Sequence, residues 1–163
     1  MKYTKNNLLD LAVVIPAYNE EQTIKAVVDD CIKALKKIKN SAIFVYDNNS
    51  YDKTAQIVNS IKNDKVVYKK CSQQGKGFVI RKAFREVDAR CLIMLDGDMT
   101  YPAADIPKLY EMLLENDLDM VIGDRLSSSY FTENKRPFHN FGNTLIRKSI
   151  NTLFKAEIKD ILT

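Results

Sequence analysis

Short apolar runs alternate with helix-period segments along most of the chain. Ala12–Pro16 (AVVIP) reads as a buried strand. Beyond it Ile24, Val27, Val28, Cys31, Ile32, Leu35 and Ile38 keep one apolar stripe, which predicts a helix over 20–38. Asn19 is the expected N-cap of that helix, with Glu20 and Glu21 at its positive end. Ala42–Tyr46, Val66–Tyr68, Cys91–Leu95 and Met120–Ile122 are the next four expected strands. Helices are expected over about 53–62, 77–87 and 103–115, the last with Ile106, Leu109, Tyr110, Leu113 and Leu114 on one face. A polar loop over 126–137 then precedes a helix over about 138–154.

This alternation predicts an α/β fold, a mainly parallel sheet with helices on both faces, in one domain spanning 1–163. Ligands in such sheets bind at the carboxyl ends of the strands. Polar groups collect at those ends: Tyr18, Asn19 and Glu20; Asp47, Asn48 and Asn49; Gln74, Gly75 and Lys76; Asp96 and Asp98; Asp124 and Arg125. Five successive clusters around one crevice favour a binding site over ordinary loop polarity.

Composition narrows the classes. Hydrophobic residues make up 45% and charged ones 28%, which excludes a disordered, collagen-like or coiled-coil chain. No apolar run reaches the roughly 20 residues of a membrane span, and the start MKYTKNN lacks a secretory apolar stretch. Cys31, Cys71 and Cys91 stand far apart in apolar surroundings, so buried thiols in a reducing cytoplasm are expected rather than disulfides or zinc. A net charge of +4 is too small to argue for nucleic acid. Residues 126–163 carry six Lys/Arg against three Asp/Glu, and the aromatic–basic loop Tyr130–Arg136 suggests contact with a membrane surface.

Candidate chemistry centres on Asp96-Gly97-Asp98. Two carboxylates one residue apart at a strand end can share a hard divalent cation, and Mg²⁺ takes one or two carboxylates plus water and substrate phosphates. Gly75-Lys76-Gly77 opens a helix, so free N–H groups and an ammonium converge where an anion could sit. Neither GxxxxGK[ST] nor GxGxxG occurs. His139 is the sole histidine and Ser127–Ser129 lack a nucleophile elbow, which argues against a Ser-His-Asp hydrolase.

These stretches, with Val14–Glu21, Asp47–Thr54, Asp96–Pro102 and Gly123-Asp124-Arg125 in order, resemble the family 2 glycosyltransferases, in particular the dolichol-phosphate mannosyltransferase-like branch. The resemblance implies the GT-A fold, a Rossmann-like nucleotide-diphospho-sugar transferase architecture. It divides the chain into a nucleotide-binding part, 1–125, and an acceptor-side part, 126–163. It implies a UDP- or GDP-sugar donor, Mg²⁺ or Mn²⁺, inversion at the anomeric carbon, and a polyprenyl phosphate or glycan acceptor. Pro16, Ala17, Tyr18, Glu20 and Asp47 would meet the base and ribose, and Lys76 the diphosphate. Asp96 and Gly97 would lie beside ribose and diphosphate, and Asp98 would hold the metal with Asp96. Asp124 is a candidate base for a hydroxyl acceptor; Arg125, Arg136 and Arg147 are candidates for gripping an acceptor phosphate.

Three positions depart from the family pattern. Asn48 replaces a frequent second aspartate, and Thr100 a frequent Gln. Asp160-Ile161-Leu162-Thr163 matches the start of a D-x-x-[ST]-G-[FY]-R stretch, so the chain is expected to be truncated on its acceptor side. The resemblance also implies work at the cytoplasmic side of the membrane. Two rival functions are a non-catalytic nucleotide-sugar-binding module and a haloacid dehalogenase-type phosphatase, since Asp96–Thr100 also fits hhhhDxDx[TV].

Overall fold

Four parallel strands are recovered, each longer than its apolar run. In the computed structural model, which describes residues 8–123 and 148–153, they are β1 (Leu9–Ala17), β2 (Ser41–Asp47), β3 (Val66–Lys70) and β4 (Ala89–Met94). The sheet order is β3-β2-β1-β4. Val14 aligns with Phe44 on one side and Met94 on the other. Every residue of β2 is buried, as a central parallel strand covered on both faces must be.

The helices are α1 (Ile24–Ala34), α2 (Thr54–Ser60), α3 (Lys76–Glu86) and α4 (Ile106–Glu115). Alternating strand positions sort them onto two faces. Leu11, Val13, Ile15, Ile43 and Val45 share one core with Ile24, Val28, Cys31, Val58 and Ile106, from α1, α2 and α4. Ala12, Val14, Ala42, Phe44 and Tyr46 form the other core with Val79 and Ala83 of α3. Right-handed crossovers put α1 and α2 on one face and α3 on the other, because β1→β2→β3 runs one way across the sheet and β3→β4 returns the other way. The direction reverses between β1 and β4, which is where a doubly wound sheet opens its ligand crevice.

Two expectations fail. The first helix starts at Ile24 rather than Glu20, and Asn19 is not its N-cap. The amides of Asn19, Glu20 and Glu21 bond instead to Ser50 Oγ (3.0 Å), Thr54 Oγ1 (2.8 Å) and Asp52 Oδ2 (3.0 Å) beyond β2. Asn19 itself takes φ 57°, outside a helix. Met120–Ile122 forms no strand; Met120 and Ile122 are 72% and 62% exposed. An apolar run becomes a strand only where another strand accepts its backbone bonds, and among the described residues none pairs with it.

The chain divides into two compact units, Met1–Asp119 and Met120–Thr163. The first holds the sheet; in the second, residues 148–153 are helical. Cys31, Cys71 and Cys91 are buried free thiols, as expected, and burial pushes Cys31 up to about 12. No helix among the described residues is long and apolar enough to cross a membrane.

Candidate active site

A cleft of about 200 Å³ opens at the carboxyl ends of β1 and β4. Pro16, Ala17, Tyr18 and Glu20 line it from the β1 side, Asp96, Gly97 and Asp98 from the β4 side, and Asn48, Lys76 and Val79 between. Of the thirteen residues expected at a site, eight therefore meet in one crevice. Asp124, Arg125, Arg136 and Arg147 lie outside the described residues.

Asp47 does not join them. It is 3% exposed, and its two oxygens are committed: Oδ1 accepts from Ser50 N (3.0 Å) and Oδ2 from the Tyr68 hydroxyl (3.0 Å). It is the hinge of a turn, and its neighbour Asn48 reaches the cleft instead. Burial, the bond to Asp47 and the Asp47 charge together push Tyr68 up to about 12.

Lys76 stands at the start of α3, with Nζ 2.6 Å from Asp96 Oδ1. Both groups are solvated, so this pair contributes little to stability and can be exchanged for another partner. Asp98 Oδ1 accepts from Thr100 N (2.9 Å), which holds the turn after β4. Thr23 links two lining residues: its hydroxyl lies 2.7 Å from Gly97 O and 3.0 Å from Glu20 Oε2. Gly97 passes close to the opposite wall: a Cβ there would sit 3.3 Å from Glu20 Cγ, a tight contact, and 3.5 Å from Pro16 O, an ordinary one. The Glu20 carboxyl is pushed up, first by burial and further by the charges of Asp98, Asp52 and Asp96, against the lowering bond from Thr23.

The donor set bears on a cation. Among the described residues no three Asp, Glu, His or Cys side chains form a ready-made cage. Asp96 and Asp98 offer oxygen ligands beside the Glu20 carboxyl, which is raised first by burial and further by these anionic neighbours; a divalent cation would relieve the second effect. One or two carboxylates completed by phosphate and water is the normal mode for Mg²⁺, so the residues fit it.

Thr23 and Val79 escaped the sequence reading. Asn48 stood among the polar residues expected around the crevice, but without a role of its own. Thr23 sits just ahead of an apolar stripe, where a hydroxyl suggests a helix cap. Val79 is indistinguishable from any core position.

The profile of glycosyl transferase family 2 matches residues 12–162. The chain belongs to this family. It is 40% identical to protein RfbJ of Shigella flexneri over 71% of this chain and 85% of that one. It is 30% identical to a dolichol-phosphate mannosyltransferase of Pyrococcus furiosus over 77% of this chain and 36% of that one. Its fold matches the mannosyltransferase PcManGT of Pyrobaculum calidifontis, solved with GDP-Man and Mn²⁺, at a TM-score of 0.56 and 20% identity. That match covers 67% of this chain and 33% of PcManGT. The fold is thus the GT-A glycosyltransferase fold. This family 2 chain spans most of RfbJ and about a third of the two mannosyltransferases. Family membership overturns the phosphatase reading, and in the sheet Asp96-Gly97-Asp98 follows the fourth strand, not the first as that motif requires.

Proposed function

We propose that the chain carries the donor site of an inverting glycosyltransferase, which moves a sugar from a UDP- or GDP-sugar to a polyprenyl phosphate. The observation carrying this reading is the convergence of Asp96, Asp98 and Lys76 at the reversal point between β1 and β4. Pro16, Ala17, Tyr18 and Glu20 form the wall for base and ribose. Asp98, with Asp96, would hold Mg²⁺ or Mn²⁺, whose positive charge would stabilise the departing diphosphate. Lys76 trades Asp96 for the diphosphate, and its ammonium favours the charge that builds up on the leaving group.

The acceptor oxygen attacks the anomeric carbon from the face opposite the diphosphate. The bond between that carbon and the diphosphate oxygen breaks, its electron pair leaves with the nucleoside diphosphate, and configuration inverts. A phosphate acceptor is already anionic and needs no base; a hydroxyl acceptor would give up its proton to a carboxylate such as Asp124. Arg125, Arg136 and Arg147 are the proposed grips on an acceptor phosphate, and the mannosyltransferase relative supports that acceptor class. The reading places this chemistry at the cytoplasmic membrane surface.

Calorimetric titration of UDP and GDP, with and without Mn²⁺, on wild type and Asp98→Ala tests the donor site. One nucleotide should bind, and affinity should fall at least roughly tenfold when either the metal or the Asp98 carboxylate is removed. Binding indifferent to both would sink the metal assignment, and no binding by a folded wild type would sink the donor site.

A further inference from the structure

We propose that Asn48 is the positioning residue that aims Lys76 into the cleft, an inference that rests on the reading of Lys76 as the diphosphate cation. Asn48 directly follows β2, is 4% exposed, and has every polar atom of its side chain engaged. Its Nδ2 donates to Cys71 O (3.1 Å) and to Gln73 O (2.6 Å), and its Oδ1 accepts from Gly75 N (2.6 Å). A primary amide offers two N–H donors and a carbonyl oxygen, and here both donors and the oxygen are engaged. The chemistry also fixes its orientation. A flipped amide would set Oδ1 against two carbonyl oxygens and its NH₂ against an N–H.

The three bonds fasten one turn. Gly75 is the N-cap of α3 and takes φ 125°, in the region that favours glycine. From there Phe78 N bonds to Gly75 O (3.0 Å) and the helix begins at Lys76, whose Nζ reaches Asp96. Asn49 holds the outer part of the same loop, with Nδ2 donating to Ser72 O (2.7 Å). The end of β2 is thereby tied to the turn that sets the direction of Lys76.

Residue 48 must be a neutral amide for this role. An aspartate has the same shape, but its carboxylate has no proton for Cys71 O or Gln73 O and would face both of them with negative charge. Asn48→Asp should therefore loosen the turn that it holds.

The test is a double-mutant cycle of Asn48→Asp and Lys76→Ala, read by titration with the nucleoside diphosphate that the wild type binds, beside amide hydrogen exchange at Gly75. Asn48→Asp alone should weaken binding on the order of tenfold, while the double variant should bind no worse than Lys76→Ala. The Gly75 amide should be protected in wild type and exchange roughly tenfold faster or more in the variant. Asn48→Ala, which removes the bonds without adding charge, should give the same pattern if Asn48→Asp fails to fold. Additive losses would mean that Asn48 acts on the nucleotide itself, and an unprotected wild-type Gly75 amide would mean that it does not hold the turn; either overturns the proposal. Absence of nucleotide binding by wild type with Gly75 protected would sink the donor-site reading and leave the hold on the turn standing.

Discussion

At the scale of single residues, the run Asp47-Asn48-Asn49-Ser50 does structural work that its polarity disguises. Asp47 holds Ser50 and Tyr68, Asn48 holds the turn before α3, Asn49 holds Ser72, and Ser50 accepts from Asn19 after β1. A sequence reading assigns such a run to a ligand, because a string of letters does not say which polar atoms are already satisfied. Tyr68→Phe removes the phenol from Asp47 and leaves a buried carboxylate short of one donor. It should cost about 1–3 kcal/mol by denaturant titration; a change within error would mean that water replaces the phenol. In wild type, tyrosinate absorbance should place the Tyr68 phenol near the top of the titration, about 12. Its folded pKa lies above its unfolded one, so its contribution to stability is complete below the ordinary tyrosine range and lost as pH rises through the folded value.

At the scale of elements, periodicity identified the helices well and misplaced chiefly the start of α1. The stripe of α1 is real: Ile24, Val27, Val28 and Cys31 are all buried. Its start moved because the preceding amides found side-chain acceptors beyond β2, more than 30 residues away in sequence. Leu35 shows how firmly the element is anchored. It lies in the 3-10 turn Leu35–Lys37 that closes α1, fully buried, and the Lys65 ammonium donates to Leu35 O (3.2 Å), Ile38 O (2.7 Å) and Ser41 Oγ (2.7 Å). Leu35→Ala should cost about 2–5 kcal/mol in chemical denaturation, whereas Leu114→Ala on α4, 55% exposed, should fall within about 0.5 kcal/mol of wild type. Equal losses at both sites would contradict the assignment of α1 and its closing turn to the core.

For the whole molecule, ligand and fold are linked through the cleft, since β1, β4 and the start of α3 all contribute to its walls. Saturation with the cognate nucleoside diphosphate and Mn²⁺ should stabilise the folded state, by about 2.7 kcal/mol at 100 times Kd, and raise the melting temperature. A chelator should abolish that shift, and its persistence in chelator would detach nucleotide binding from the carboxylates.

The sequence by itself determined the four strands, the helix that follows each, and the family. These depend on local periodicity and on short ordered motifs such as Asp96-Gly97-Asp98, which are properties of neighbouring residues. Only the tertiary structure decided which polar groups are available to a ligand. Asp47 and Asn48 are adjacent and of the same shape, yet the first turns its carboxylate to Ser50 and Tyr68 while the second lines the cleft and holds the turn before Lys76. Met120–Ile122 likewise has the composition of a strand without a partner among the described residues. Pairing and hydrogen-bond satisfaction are relations between distant segments, and they exist only once the chain has folded.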